Sequence, residues 1–251
     1  MVRILILLMC LALPASAEQV VLGLSKDKVD ITTSFDGSEI LIFGAVKREV
    51  PIPQGEPLEV IITVSGPSLP VTVRRKEKRF GIWINTDVLE VDKAPSFYAI
   101  ATSAPLTKAL TDTEDLRHRV SIPRAIRSVG APQNITDAEN FTDAVIRIRT
   151  ENQLYQLLQE YVVVDEQTLF RTAIEMPANL TEGNYVIRIF LTRGGEVVSS
   201  YDTQIDVHKV GLERWLFSLS RQQPLIYGLM SLAIAIAAGW GASAIFKMFR
   251  S

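Results

Sequence analysis

Cysteine is almost missing from this chain. Its one example, Cys10, falls inside an apolar stretch at the N-terminus, so the rest has neither a disulfide framework nor a thiolate nucleophile. Histidine is nearly as scarce: His118 and His208 stand far apart, and neither sits in a His-x-x-x-His or comparable ligand spacing. Charge of one sign is not in excess, with 26 basic against 28 acidic residues. Nucleic acid is therefore not expected as a partner, because binding it draws on surplus Lys and Arg. A Gly-x-Ser-x-Gly elbow, a phosphate-binding loop and a Gly-x-Gly-x-x-Gly turn are all missing. Asp112, Glu114 and Asp115 lack the spacing of a calcium loop and read as a solvated helix face, and Glu114 with His118 reads as an exposed i, i+4 pair. No catalytic residue, metal or cofactor is expected, and the chain reads as a non-enzyme.

Hydrophobic runs, by contrast, stand at both ends. Residues 4–13 follow Arg3 and lead into Pro14-Ala15-Ser16-Ala17, a small-residue cleavage site. The segment 1–17 therefore reads as an export signal, with Glu18 opening the mature chain. Cys10 leaves with it, since a lipoprotein reading needs a small residue where Met9 stands. Residues 225–246 hold no charged side chain. At about 1.5 Å per residue they cover roughly 33 Å, enough for a bilayer core. They read as a transmembrane helix, and 247–251, with Lys247 and Arg250, as a cytoplasmic tail. An exported domain without cysteine points to a bacterial periplasm and an inner-membrane anchor. The glycosylation-type sequons at Asn134, Asn140 and Asn179 are then chance matches.

Between these runs, short stretches of β-branched and aromatic residues broken by turn residues predict a mainly β protein. In 18–104, strands are expected at 20–24, 29–34, 39–46, 58–65, 71–75, 80–85 and 96–102. This crowding suggests an immunoglobulin-like β-sandwich, with Asp36-Gly37 as a hairpin turn and Pro51, Pro53 and Pro57 in a connection. A smaller β-rich domain, 105–208, is expected to follow. It opens with a short helix over 106–119 closed by Pro123. A capping box at Thr136-Asp137-Ala138-Glu139 then starts a helix at about 137–158, on the spacing of Phe141, Val145, Ile148, Tyr155 and Leu158. Strands follow at 161–164, 169–175, 185–192 and 197–207, the last two joined at Arg193-Gly194-Gly195. The juxtamembrane segment 209–224 carries Leu212, Trp215, Leu216 and Leu219 at helical spacing. It reads equally as an interfacial helix or as the last helix of the exported part.

The densest charge is Arg74-Arg75-Lys76-Glu77-Lys78-Arg79, expected at a hairpin tip. Positive potential there can hold an anionic headgroup, an acidic loop or an oxyanion, or can be plain solvated charge that guards an edge. Arg74, Arg75 and Lys76 are the candidate binding residues. In the apolar C-terminal helix, Gly228, Ser231, Ala235, Ala238, Gly239 and Ala242 fall within an arc of roughly 100°. Such a strip suits close helix packing in lipid, though small residues are common in any span. Without Asp, Glu, Lys, Arg or His the span offers no ion pathway of its own.

Several short stretches together carry a resemblance. They are Phe43-Gly44-Ala45-Val46, Gly66-Pro67, Arg74-Arg75-Lys76 ahead of Gly81-Ile82-Trp83-Ile84-Asn85, Pro95-Ser96-Phe97-Tyr98-Ala99, Leu169-Phe170-Arg171, Lys209-Val210-Gly211, Gln223-Pro224-Leu225 with Tyr227-Gly228, and Gly239-Trp240. The chain resembles an uncharacterised alphaproteobacterial family of transmembrane proteins over nearly all of its mature length. The resemblance implies a periplasmic domain on one C-terminal span, and genes placed beside permeases of the sulfite or sulfonate exporter type. Asn152 departs from it where glycine is expected. The leading expectation is thus a membrane-anchored periplasmic accessory or scaffold protein that contacts an integral-membrane partner. The alternative is a periplasmic module that binds a small anion near the basic hairpin.

Overall fold

Burial with a period of two runs through most of the chain, so its strands must form sheets with distinct faces. The computed structural model describes residues 19–25, 28–31, 37–48, 55–128, 135, 137–209 and 212–249. The expected export signal, Asp36 of the expected turn, Pro51, Pro53, Thr136 and the final residues of the tail lie outside these. The elements are β1 (Gln19–Leu24), β2 (Lys28–Ile31), β3 (Ser38–Lys47), β4 (Leu58–Ser65), β5 (Ser68–Arg79), β6 (Ile82–Pro95), β7 (Tyr98–Thr102), α1 (Leu106–Ala109), α2 (Asp112–His118), α3 (Ile122–Ala125) and α4 (Ala138–Glu151). There follow β8 (Tyr155–Leu158), β9 (Val163–Asp165), β10 (Leu169–Met176), β11 (Gly183–Arg193), β12 (Glu196–Lys209), α5 (Leu212–Gln222) and α6 (Pro224–Phe249). The chain divides into two units, Met1–Val29 with Asp36–Val207, and Asp30–Phe35 with His208–Ser251.

The larger unit is mainly β, as expected. One sheet has the order β1-β3-β10-β9, a second the order β2-β12-β11-β4-β7-β8, and β5 with β6 forms a sheet of two strands. The division expected at residue 104 does not form: β3 pairs along β10, β4 along β11, and β7 runs parallel to β8. Strands from both expected domains share both sheets, so 18–104 makes no sandwich by itself. The physical reason is burial. Every strand residue from Val60 to Val64 is buried, and such a strand needs neighbours on both edges and cover on both faces.

The second sheet has that cover. Ile61, Tyr98, Ile100, Tyr155 and Phe190 pack on one face with Val91 and Ala94 of β6, Ala109 and Leu110, Val120, and Val145 of α4. In the first sheet, Ile40, Ile42, Phe170, Ile174 and Met176 alternate inward, while Val21, Leu41, Phe43, Val163 and Leu169 of its other face are between 43% and 55% exposed.

Two helical expectations change. The helix expected at about 137–158 ends at Glu151, and Tyr155 and Leu158 belong to β8. Gln153, at φ +60°, turns the chain out of the helix, and pairing with β7 outweighs the apparent helical spacing. Its N-cap is Asp137, whose carboxylate makes no cap bond; that group instead accepts from Arg75 and Asn140. The single helix over 106–119 is two short ones, and Pro123 lies in the first turn of α3. Proline suits that place because its missing N–H is not needed there.

Three buried tyrosines set a pH limit on this unit. Burial pushes the Tyr185 phenol up to about 12 and raises those of Tyr98 and Tyr155 as well. A raised folded-state value favours the neutral phenol, so this stability is whole below the ordinary value of 10.0 and falls as pH climbs from there through about 12. An alkaline unfolding titration should lose structure in that window. Intact structure with every tyrosine ionised near pH 10 would contradict the packing described.

In the smaller unit, α5 runs on into α6 through Gln223, whose amide donates to the Leu219 carbonyl at 2.9 Å and whose carbonyl accepts from the Tyr227 amide at 3.1 Å, and Pro224 opens α6. The guanidinium of Arg221 sits 5.6 Å above the ring of Phe217, while Trp215 and Phe217 face outward. The stretch Pro224–Ser243 of α6 is long and apolar enough to cross a membrane, and none of its residues is buried.

Candidate functional site

A cavity of about 970 Å³ opens where the base of the β5–β6 pair meets the turns around α2 and α3. Its walls come from three distant stretches: Ser65 to Ser68 with Lys93 and Pro95, Leu116 to Ser128, and Asn184, Val186 and Arg188 of β11. Local chemistry shapes the middle stretch. Thr111 caps α2 by accepting from the Glu114 amide at 3.4 Å. The Asp115 carboxylate accepts from the amides of Val120 and Ser121 at 3.0 and 2.7 Å and from the Ser121 hydroxyl at 2.7 Å. Arg119, at φ +52°, turns the chain between them. Lys93 and Arg127 exchange backbone hydrogen bonds of 3.0 and 2.8 Å, fixing this wall to β6.

Arg188 ties the walls together. It donates to the carbonyls of His118 at 2.7 Å and Arg119 at 3.1 Å and to the Tyr98 hydroxyl at 3.1 Å, and it stacks on Phe190 at 5.3 Å. The Tyr98 hydroxyl in turn donates to the Val120 carbonyl at 2.8 Å.

The charge of this cleft is one-sided. Lys93, Arg119, Arg124, Arg127 and Arg188 line it, and among the described residues no Asp or Glu does. Among the described residues, none of these cations forms an ion pair with a carboxylate. Focused positive potential in a concave wall favours an anion. Sequence reading missed this set, because the residues come from separate segments and no local motif links them. Arg119 and Arg124, on either side of Pro123, were its one local trace.

The expected exposed pair at Glu114 and His118 is corrected. Glu114 is buried, with a carboxylate oxygen 3.4 Å from His118 Nε2 and the other accepting from Arg117. The His118 ring packs edge-on to Phe190 at 5.3 Å. The pair braces α2 against β11.

The basic run is not a hairpin tip. It lies within β5, and the turn falls at Phe80-Gly81. Strand alternation then separates the candidate residues. Arg74 and Lys76 are exposed, whereas Arg75 turns inward to Asp137, to Asp87 at 3.5 Å and over the Phe141 ring at 4.6 Å. The Asn140 amide, followed by Arg75, holds the Asp137 carboxyl below the usual carboxylate range. Arg75→Ser is therefore expected to lower the melting temperature, whereas Arg74→Ser with Lys76→Ser leaves it unchanged, as thermal circular dichroism will read. Equal melting of the two variants would deny Arg75 its structural place.

On α6, Gly228, Ser231, Ala235, Ala238, Gly239 and Ala242 are all exposed, and among the described residues nothing beyond the helix's own neighbouring backbone lies within 4 Å of where a Cβ on Gly228 or Gly239 would stand.

Fold and sites together define a class, a mainly β unit followed by one C-terminal apolar helix fit to span a membrane. The chain belongs to the family described as "Putative transmembrane protein (Alph_Pro_TM)", whose pattern matches residues 19–248. None of the curated proteins compared with the chain matches it.

Proposed function

We propose that this is a membrane-anchored accessory protein whose β unit captures a small anion in the basic cleft on behalf of an integral-membrane partner. In this reading the N-terminal run 1–17 is a cleaved export signal, the β unit is periplasmic, and α6 anchors it in the inner membrane with the tail in the cytoplasm. The resemblance noted above points to a sulfite or sulfonate exporter as the partner. One observation carries the proposal: the described lining of the cleft holds five cationic side chains and no Asp or Glu. Tetrahedral or pyramidal oxyanions suit such a site because guanidinium groups offer paired donors to adjacent oxygens. The test is calorimetric titration of the full chain in detergent with sulfite, sulfate and methanesulfonate. Replacing Arg119, Arg124 and Arg127 by Ala should weaken binding by at least about tenfold, while Arg74→Ser with Lys76→Ser should not. Absence of binding, or affinity indifferent to the cleft variant, would overturn it.

A scaffold without a ligand is the second reading, favoured by the outer face of the β1-β3-β10-β9 sheet. The register sets Val21 beside Ala45 and Leu169, and Phe43 beside Arg171 and Val163, joining the exposed apolar side chains into one patch of the kind that marks an interface. Cross-linking in native membranes should show a defined membrane-protein neighbour that Phe43→Asp with Leu169→Asp removes. Unchanged cross-links would set this reading aside.

A further inference from the structure

The far half of the β5–β6 hairpin has a chemistry that neither the cleft nor the core uses. Packing against the body reaches as far as Arg75 and Asp87, with Val73, Leu89, Ile135 and Phe141 as the last apolar layer. Beyond it, residues 76–86 are exposed or half-buried and, at about 3.3 Å per residue, project roughly 15 Å. At the end stand Phe80, fully exposed, and Ile82 and Trp83, 65% and 67% exposed. An unpaired finger tipped with large apolar side chains costs solubility and contributes nothing to the fold.

The turn itself reinforces the point. Phe80 and Gly81 have φ of +51° and +85°, the geometry of a two-residue hairpin turn in which Asn or Gly is favoured at the first position. A bulky aromatic there is strained. Turn formation therefore gives no reason for Phe80; display of its ring does.

Basic side chains surround this apolar end. Arg79 pairs with Glu77 at 3.1 Å, while Arg74, Lys76 and Lys78 alternate onto the other side of β5, where Lys78 lies opposite Trp83 in register. Among the described residues these three form no ion pair. Aromatic and aliphatic tips below a collar of Lys and Arg suit the boundary of an anionic bilayer, where rings settle at headgroup depth and cations meet phosphate. The chain also carries its own apolar helix fit to span a membrane and belongs to a transmembrane family, so a bilayer is the surface to which such a tether would bring it.

We infer that the tip Phe80-Gly81-Ile82-Trp83 inserts into an anionic lipid surface, with Arg74, Lys76 and Lys78 binding its headgroups, giving the β unit a second membrane attachment. This is independent of anion capture in the cleft. The test uses the full chain with Trp215→Phe and Trp240→Phe, which leaves Trp83 as the one tryptophan, in nanodiscs of phosphatidylcholine alone or mixed with phosphatidylglycerol. Trp83 emission should shift to the blue and be quenched by brominated acyl chains in the mixed discs but not in phosphatidylcholine alone. Arg74→Ser, Lys76→Ser and Lys78→Ser together should cut the ratio of inserted to free tip by about a hundredfold, at roughly fivefold per cation. Replacing Phe80 and Ile82 by Ser should abolish quenching with the melting temperature unchanged. No quenching in the mixed discs, or quenching equal in the triple Ser variant, would overturn the proposal. A photo-cross-linker at Phe80 that yields a protein adduct and no lipid adduct in native membranes would overturn it too, making the tip a protein contact.

Discussion

Tyr155→Ala should destabilise the β unit by about 3–5 kcal/mol and lower its melting temperature by roughly 10 °C. Tyr155 is 1% exposed and sits on β8 with its ring edge-on to Tyr98 at 6.4 Å. Its hydroxyl donates to the Pro95 carbonyl at 2.9 Å and accepts from Arg149 Nη1 at 2.7 Å, and the Arg149 guanidinium lies 5.3 Å from the ring. One side chain therefore joins β8, the end of β6 and the last turn of α4. Removing it opens a cavity and strips Arg149 of a partner. Tyr155→Phe keeps the ring and should lose only about 1 kcal/mol. Thermal melts of the two variants separate the contributions. An Ala variant as stable as the parent would return Tyr155 to a helix surface and contradict the β7–β8 pairing.

Arg188→Met is the other substitution with a large expected effect, because it touches both stability and the cleft. Methionine can keep the contact with Phe190 but offers no donor to the His118 and Arg119 carbonyls or the Tyr98 hydroxyl. Leaving these acceptors unpaired should cost about 2–4 kcal/mol. The turn that carries Arg119 and Arg124 should loosen with it. At a temperature where the variant is still folded, oxyanion affinity should fall by about tenfold or more, although Arg188 spends its own donors on the protein. Arg188 thus acts as a positioning residue. Stability lost without any loss of affinity would separate the two roles and leave Arg188 as a brace alone.

Strands whose burial is uniform or cleanly alternating were legible in the sequence. Leu58–Ser65 was readable to the residue, since its β-branched run is bounded by Pro57 and Gly66, and Gly194-Gly195 marked the turn into β12 through two positive φ angles. Charge hid β5, where five cations in six residues looked like a turn although Val71, Val73 and Arg75 alternate inward. Phe80 concealed the true turn, because propensity argues against an aromatic at positive φ. β8 was masked by a spacing of Tyr155 and Leu158 that suits a helix as well as a strand; its parallel partner lies far away in sequence. The two-domain division failed for the same reason, as pairings such as Ile42 with Thr172 and Ile62 with Ile189 leave no local trace. The cleft was invisible because it exists only once β6, the α2–α3 turn and β11 have met.

The central proposal is that one C-terminal helix anchors a β unit held outside the cytoplasm. Thr72, exposed on β5, and Ser251, at the end of the chain, report on its two sides when each is replaced singly by Cys in a Cys10→Ser background. In intact cells a membrane-impermeant maleimide should label the Thr72→Cys protein at once and the Ser251→Cys protein only after the inner membrane is opened. Labelling of Ser251→Cys in intact cells, or protection of Thr72→Cys, would contradict the account.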